Sequence, residues 1–334
     1  MRRLVTGLSV VALTAATALY AFAPRTTPPL APTQLPVDRM QVLTLARAGE
    51  ALVAGGELGY LLRSTDGGSS WQPAQIEPHR FAPITAIRFS DARNGMAVGH
   101  EGLILRTADG GQSWQELHFD EQDGTPLMDI RRLPSGAWLA VGAFARALRS
   151  VDDGKTWEPV TIPGTEVEGW HLNRLVPGAD PQHWLLLGEH GLAMRSSDGG
   201  QTFTLIPPFY NGSLYGGIAL DARTWVVYGM RGHVFRSADG GDTWTASSLQ
   251  APVSSFGHAL LDDGRLLIVG QGGVIQASRD GGASFQVVSA GGLASFMDLV
   301  PLADGRWLIA SDQGIRTYDP AAAAAASAPA QGAR

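Results

Sequence analysis

A nine-residue pattern returns six times along this chain, and it constrains the fold more than any other feature. It first reads Arg63-Ser64-Thr65-Asp66-Gly67-Gly68-Ser69-Ser70-Trp71 and recurs as Arg106-Thr107-Ala108-Asp109-Gly110-Gly111-Gln112-Ser113-Trp114. Later copies centre on Asp152, Asp198, Asp239 and Asp280, so successive aspartates stand 43, 43, 46, 41 and 41 residues apart. A period of roughly 40–50 residues is that of a four-stranded propeller blade. Within the pattern, Asp accepts hydrogen bonds from its own turn, Gly supplies positive φ and Ser or Thr adds a local bond. The aromatic that closes it brings a large apolar area to the space between blades. Six equivalent carboxylates are a structural device, because catalysis needs an asymmetric set.

Each repeat carries the same short strands. In the second, Ile84–Phe89, Gly95–Gly99, Leu103–Thr107 and Ser113–Phe119 alternate in polarity between Gly-rich turns, which is the β signature. Val98-Gly99, Val141-Gly142, Leu187-Gly188, Tyr228-Gly229 and Val269-Gly270 end the second strands. A seventh unit, with strands at Met297–Leu302, Arg306–Ala310 and Gly314–Tyr318, lacks its Asp box and its fourth strand. The expected fold is all-β: a seven-bladed β-propeller with four-stranded antiparallel blades and Asp-box turns, over residues 33–319. A segment around Thr33 to Arg39 is expected to supply the missing outer strand and cover an exposed edge. The 42 glycines suit a fold of many tight turns.

The two ends read differently. Arg2-Arg3 precede an apolar stretch from Leu4 to about Ala23, a basic n-region before an h-region. Residues 1–23 are therefore expected to be a signal peptide or an N-terminal membrane anchor, and 24–32 a Pro/Thr-rich linker. Ala21-Phe22-Ala23 fits a cleavage pattern, although Pro24 opposes cleavage there, and Ala16-Thr17-Ala18 is an alternative. With the basic end inside, the remainder is expected to be periplasmic or otherwise extracytoplasmic, soluble or tethered. Residues 320–334, Ala-rich and of low complexity, are expected to be a disordered tail.

Several chemistries lack support. With Lys+Arg 25 against Asp+Glu 31, the net charge of −6 does not suit nucleic-acid binding, which needs cationic neutralisation of phosphates. There is no cysteine, hence no disulfide, thiolate metal site or lipoprotein anchor. The eight His show no paired metal-ligand spacing. No Gly-x-Ser-x-Gly elbow or phosphate loop is present. No catalytic residue, metal or cofactor is expected, and the chain is expected to be a monomer.

Partner-binding candidates fall into three sets. The turns between second and third strands hold His100, Glu101, Glu189, His190 and Arg231, polar side chains where a hairpin needs only Gly or Asn. Arg88, Arg131, Arg132 and Arg174 lie on or next to the inner strands of the second to fourth blades. Charges beside the channel are costly unless solvated or paired. They either hold an acidic or carboxylate-bearing peptide through bidentate contacts, or pair with neighbours such as Asp91 and Asp129 along a water-filled channel. Phe209-Tyr210 and Tyr215 add aromatic surface suited to a peptide. All three sets are expected on one face, opposite the Asp boxes.

The Asp-box pattern is similar to the BNR/sialidase-type repeat. With the blade count, the export segment and the Gly99-His100-Glu101-Gly102 turn, the chain resembles the photosystem II stability/assembly factor family of plastids and cyanobacteria and its bacterial relatives. The resemblance covers about residues 33–319. It implies an exported assembly factor that binds a membrane-protein precursor partly through an arginine-rich surface. The expected function is thus a protein-binding scaffold that assists a membrane protein complex, not an enzyme. The alternative is a sialidase-type glycoside hydrolase, which needs three arginines on a carboxylate, a Tyr/Glu pair and an Asp acid/base. No Arg-Ile/Leu-Pro element precedes Asp66, and Arg132-Leu133-Pro134 falls two blades too late. Convergent Arg, Tyr and Glu in the channel would mark the enzyme, and a broad mixed patch a binding protein.

Overall fold

The computed structural model describes residues 2–22, 37–165 and 169–327. The chain divides into two units, residues 1–35 and 36–334. In the first, Arg2–Ala21 is a helix. Among residues whose side chains are described, which in this helix begin at Ala12, no helix is long and apolar enough to cross a membrane.

Among the described residues, the second unit contains seven sheets, one per blade. Blade one is Val42–Ala48, Ala51–Gly56, Leu61–Ser64 and Gln72–Pro73. Blade two is Ile84–Phe89, Gly95–Gly99, Ile104–Thr107 and Ser113–His118, with Gln75–Glu77 added in parallel at its outer edge. Blades three, four and five start at the inner strands Leu127–Arg132, Leu172–Pro177 and Leu214–Ala219. Blade six starts at Ser255–Leu260 and gains Ser248–Leu249 as a parallel fifth strand. Blade seven is Phe296–Pro301, Trp307–Ser311 and Gly314–Tyr318.

Every second strand from blade two onward is buried throughout, as in Trp138–Gly142 and Leu266–Gly270. Stacked blades cover both of its faces, so it reads as a continuous apolar run. The apolar core is accordingly divided between blades. Val141, Leu172, Leu175 and Leu186 pack blades three and four together, and Met96, Val98, Leu127 and Ile130 join two and three.

The Asp boxes form the bonds expected of them. In the first, Asp66 Oδ1 accepts the Ser70 N–H at 2.9 Å and the Ser64 hydroxyl at 2.8 Å, and Oδ2 accepts the Ser70 hydroxyl at 2.5 Å. The Trp71 indole N–H returns to the Gly68 carbonyl at 3.1 Å. These donors hold the Asp66 and Asp152 carboxyls down at about 2. In the first two boxes the second glycine is required twice over. Gly111 has φ +83, and a Cβ there would lie 2.7 Å from Val53 Cγ2 of the preceding blade. Gly68 meets Leu308 of blade seven in the same way, so the ring closes between blades seven and one.

A polar bond reinforces that seam: the Leu45 N–H donates to Asp298 Oδ2 at 3.0 Å. The closing strand expected at 33–39 lies partly outside the described residues. Within them, the Val37 carbonyl accepts the Ile315 N–H at 3.0 Å, alongside the last strand of blade seven. The tail departs from expectation, because Pro320–Ser327 is a helix. Asp319 caps it, accepting the Ala321 and Ala322 N–H groups at 2.9 and 3.0 Å. Proline is favoured at a first helical position and alanine is the best helix former. Residues 328–334 lie outside the description.

Candidate partner-binding site

The inner strands share one register. A bulge follows their first residue, and the third residue then pairs with the second strand, as Asp129 does with Val141 and Asp298 with Ala310. The third positions in chain order are Thr44, Ala86, Asp129, Arg174, Gly216, Gly257 and Asp298. Asp129 therefore lies fully buried between Leu127 and Ile130, and its Oδ2 accepts the Leu175 N–H of blade four at 3.0 Å.

Three arginines gather on that carboxylate. Arg88 Nη2 lies 2.8 Å from Asp129 Oδ1, Arg174 Nη1 3.8 Å from the same oxygen, and Arg131 Nε 3.7 Å from Oδ2. Burial alone would raise the Asp129 pKa, but Arg88, Arg131 and Arg174 together hold it below the ordinary carboxylate value. Burial, and then the neighbouring Arg88, push the Arg131 guanidinium down. Water still reaches 28% of its side chain, and arginine stays charged at neutral pH. The buried Nε atoms of Arg88 and Arg131 have no acceptor at hydrogen-bond distance. Donors are left over.

Arg88, Arg131 and Arg132 open into a cleft of 560 Å³ whose other walls include Leu133, Pro134, Trp138, Pro177, Pro181 and Trp184. Arg132 is exposed at its rim. The cleft lies at the channel end next to the Asp boxes. Arg88 pairs with Met96 and Arg132 with Trp138, at the start of the second strands, whereas the second-to-third-strand turns follow Gly99 and Gly142 at their far end. The arginines and the turns are thus not on one face, as the sequence led us to expect. Antiparallel pairing puts the fifth and sixth residues of an inner strand at the opposite end from the turn.

The remaining candidates occupy the turn face. Glu101, His190 and Arg231 sit at the left-handed centre of their turns, with φ 57, 53 and 57. His100 is exposed beside Glu101. Glu189 accepts the His171 N–H at 3.1 Å, and His190 stacks on Trp170 at 5.0 Å. Tyr210 donates to the Met230 carbonyl at 3.1 Å and packs on Phe235. Tyr215 alone reaches the arginine group: its carbonyl accepts the Arg174 Nε–H at 3.4 Å, and its ring lies 5.5 Å from Phe256. Asp91 accepts its hydrogen bonds from Asn94 and the Arg93 N–H, and the inner-strand Arg132 attracts it only through space.

Sequence reasoning missed the pair Tyr228 and His258. The Tyr228 hydroxyl fills the space that a Cβ at Gly216 would occupy, and it meets His258 Nδ1 at 2.7 Å. Burial, with Arg174, Arg131 and Arg88 beyond it, pushes His258 down to about 3. The neutral ring and the Tyr228 hydroxyl share one hydrogen bond. The signal available was Gly216 opposite a bulky Tyr228, where the other second strands have Val, Leu or smaller residues.

Three convergent arginines near a tyrosine are part of what a sialidase requires. Here Asp129 fills the space between the arginines that a substrate carboxylate would take. The tyrosine faces a histidine, not a carboxylate, and burial raises its pKa.

The family model described as photosynthesis system II assembly factor YCF48 matches residues 76–168, which span blades two and three. The chain resembles that family. No curated protein matches it. The solved structure of YCF48 bound to D1 peptide is 20% identical and superposes with a TM-score of 0.68, covering 88% of this chain and 99% of that one. YCF48 from Cyanidioschyzon merolae gives 16%, 0.67, 86% and 98%. A streptogramin B lyase gives 12%, 0.70, 85% and 95%. At such identities these likenesses establish the propeller and leave the activity to the site. The matched family model and the structures named here do not favour the sialidase reading.

Proposed function

We propose that this chain is an exported protein-binding scaffold that takes an acidic segment of a membrane protein, or of its precursor, into the arginine-lined cleft. The observation that carries the reading is the surplus of donors around Asp129. Three arginines share one carboxylate, and Arg131, only partly satisfied by it, and Arg132 present guanidinium groups to a cleft walled by proline and tryptophan. Bidentate guanidinium contacts suit carboxylates, and the aromatic walls suit peptide backbone and apolar side chains. The YCF48 structure with a bound D1 peptide supports the class of partner, and Arg2-Arg3 before an apolar run supports export.

Fluorescence anisotropy with a labelled acidic peptide tests the reading, against the same peptide with Asp and Glu changed to Asn and Gln. The acidic peptide should bind, and more weakly as salt rises. Arg132→Glu should weaken it by about tenfold or more with little change in the melting midpoint, since Arg132 is exposed and its attraction to Asp91 is a surface one. Equal binding of the neutral peptide would sink the proposal.

A further inference from the structure

The opposite face carries a different chemistry. Leu58, Phe81 and Phe144 are exposed there to 54, 60 and 68% of their surface. Leu58 and Phe144 sit at the centres of their turns in left-handed backbone, φ 55 and 53, and Phe81 has φ 60. The corresponding residue of blade six is Gly272, φ 68, so the turn is built equally well without a side chain. Large apolar groups exposed on one face mark an interaction surface. The first two cluster: the Leu58 turn lies against Phe81-Ala82, and Phe81 packs edge-on against His79 at 4.4 Å.

Charge decides what fits there. The turn-face segments 57–60, 78–83, 100–103, 118–126 and 143–146 hold five carboxylates, on Glu57, Glu101, Asp120, Glu121 and Asp123, against Arg80 and Arg146. Both arginines are engaged, Arg80 by Glu116 at 2.8 Å and Arg146 by Asp120 and Asp123. Among the described residues, no ion pair forms on Glu57 or Glu101, and Glu121 is drawn toward Arg80 only at longer range. We propose that the turn face of blades one to three is a second docking surface, for a cationic amphipathic segment of a protein partner. Apolar side chains of that segment cover Leu58, Phe81 and Phe144, and its lysines or arginines meet the free carboxylates. The molecule then joins two partners of opposite charge, one at each end of the ring.

Calorimetric titration of the full chain with a lysine–leucine amphipathic peptide, and with its glutamate–leucine counterpart, tests this. The lysine peptide should bind and the glutamate peptide should not. The double variant Leu58→Gly/Phe144→Gly should weaken binding by about tenfold or more. Its melting midpoint should stay level with or above wild type, because glycine adopts this backbone without a Cβ clash. Glu57→Gln with Glu101→Gln should weaken binding and flatten its salt dependence. Arg132→Glu should bind the lysine peptide as wild type does, which separates this surface from the arginine cleft. No binding, or binding unchanged in the stably folded glycine variant, overturns the proposal. So does association with phosphatidylcholine vesicles in place of the peptide.

Discussion

Two seams of the ring use the same device in different surroundings. Asp129 and Asp298 occupy the same position of their inner strands, and each accepts the fourth-residue N–H of the next blade, Leu175 or Leu45, at 3.0 Å. Around Asp129 three arginines converge. Among the described residues, none comes within 4 Å of Asp298, whose other bond is its own Leu299 N–H at 2.9 Å. Their pKa values move in opposite directions. Arg88, Arg131 and Arg174 outweigh burial at Asp129, and burial outweighs Arg88 and Arg174 at Asp298. The latch therefore works without arginines. The cluster at blades two to four exceeds what joining two blades requires, and the excess is what a ligand can use.

Substitutions test that contrast. The largest effect is expected from Asp129→Ala, which leaves three half-buried guanidinium groups facing one another. Removing one partner of a buried pair costs about 3–5 kcal/mol, measurable as a lower urea midpoint at unchanged slope. A smaller and more telling effect is expected from the two asparagine variants followed against pH. The depressed Asp129 carboxyl contributes stability that is present above its unfolded value near 3.8 and lost as pH falls through its lower folded value. The raised Asp298 contributes stability at low pH that is lost as pH climbs from 3.8 through its higher folded value. The deficit of Asp129→Asn should therefore grow on going from acid to neutral pH, while that of Asp298→Asn shrinks. Parallel curves would mean that the two sites do not differ electrostatically.

The smallest stability effect is expected from Arg131→Gln. The nearest carboxylate is 3.7 Å away and two other arginines repel it, so removing the charge should change stability by no more than about 0.5 kcal/mol. Capture of the acidic peptide should nevertheless fall. A large loss of stability with intact capture would make the cluster part of the scaffold.

The contrast also shows what was legible in the sequence. The blades were, because Asp66 and its equivalents act within nine residues and their turn chemistry is local. Arg88, Arg131 and Arg174 also stood out, as charges on strands that should be apolar. Their face was not, since it follows from the strand pairing, which sets Arg132 opposite Trp138 and away from the turn after Gly142. Asp129 was legible as a pairing partner for these arginines, but not as the one point where they meet the next blade, because Leu175 and Arg174 reach it from about 45 residues on. Asp298 likewise depends on the far end of the chain. Pro320–Ser327 was misread on composition alone, where Asp319-Pro320 before the alanines was a helix start.

The seam at Asp298 has a kinetic consequence. Leu45 and Asp298 are 253 residues apart, whereas each Asp box closes over a span of a few residues. Short loops close in well under a microsecond, and long closures carry a larger entropy cost. Each outer turn can thus be in place before the ring exists, and the first and last blades meet only once the intervening ones are stacked. A newly made chain still lacking its final blade therefore has its outer turns but no acceptor for the Leu45 N–H.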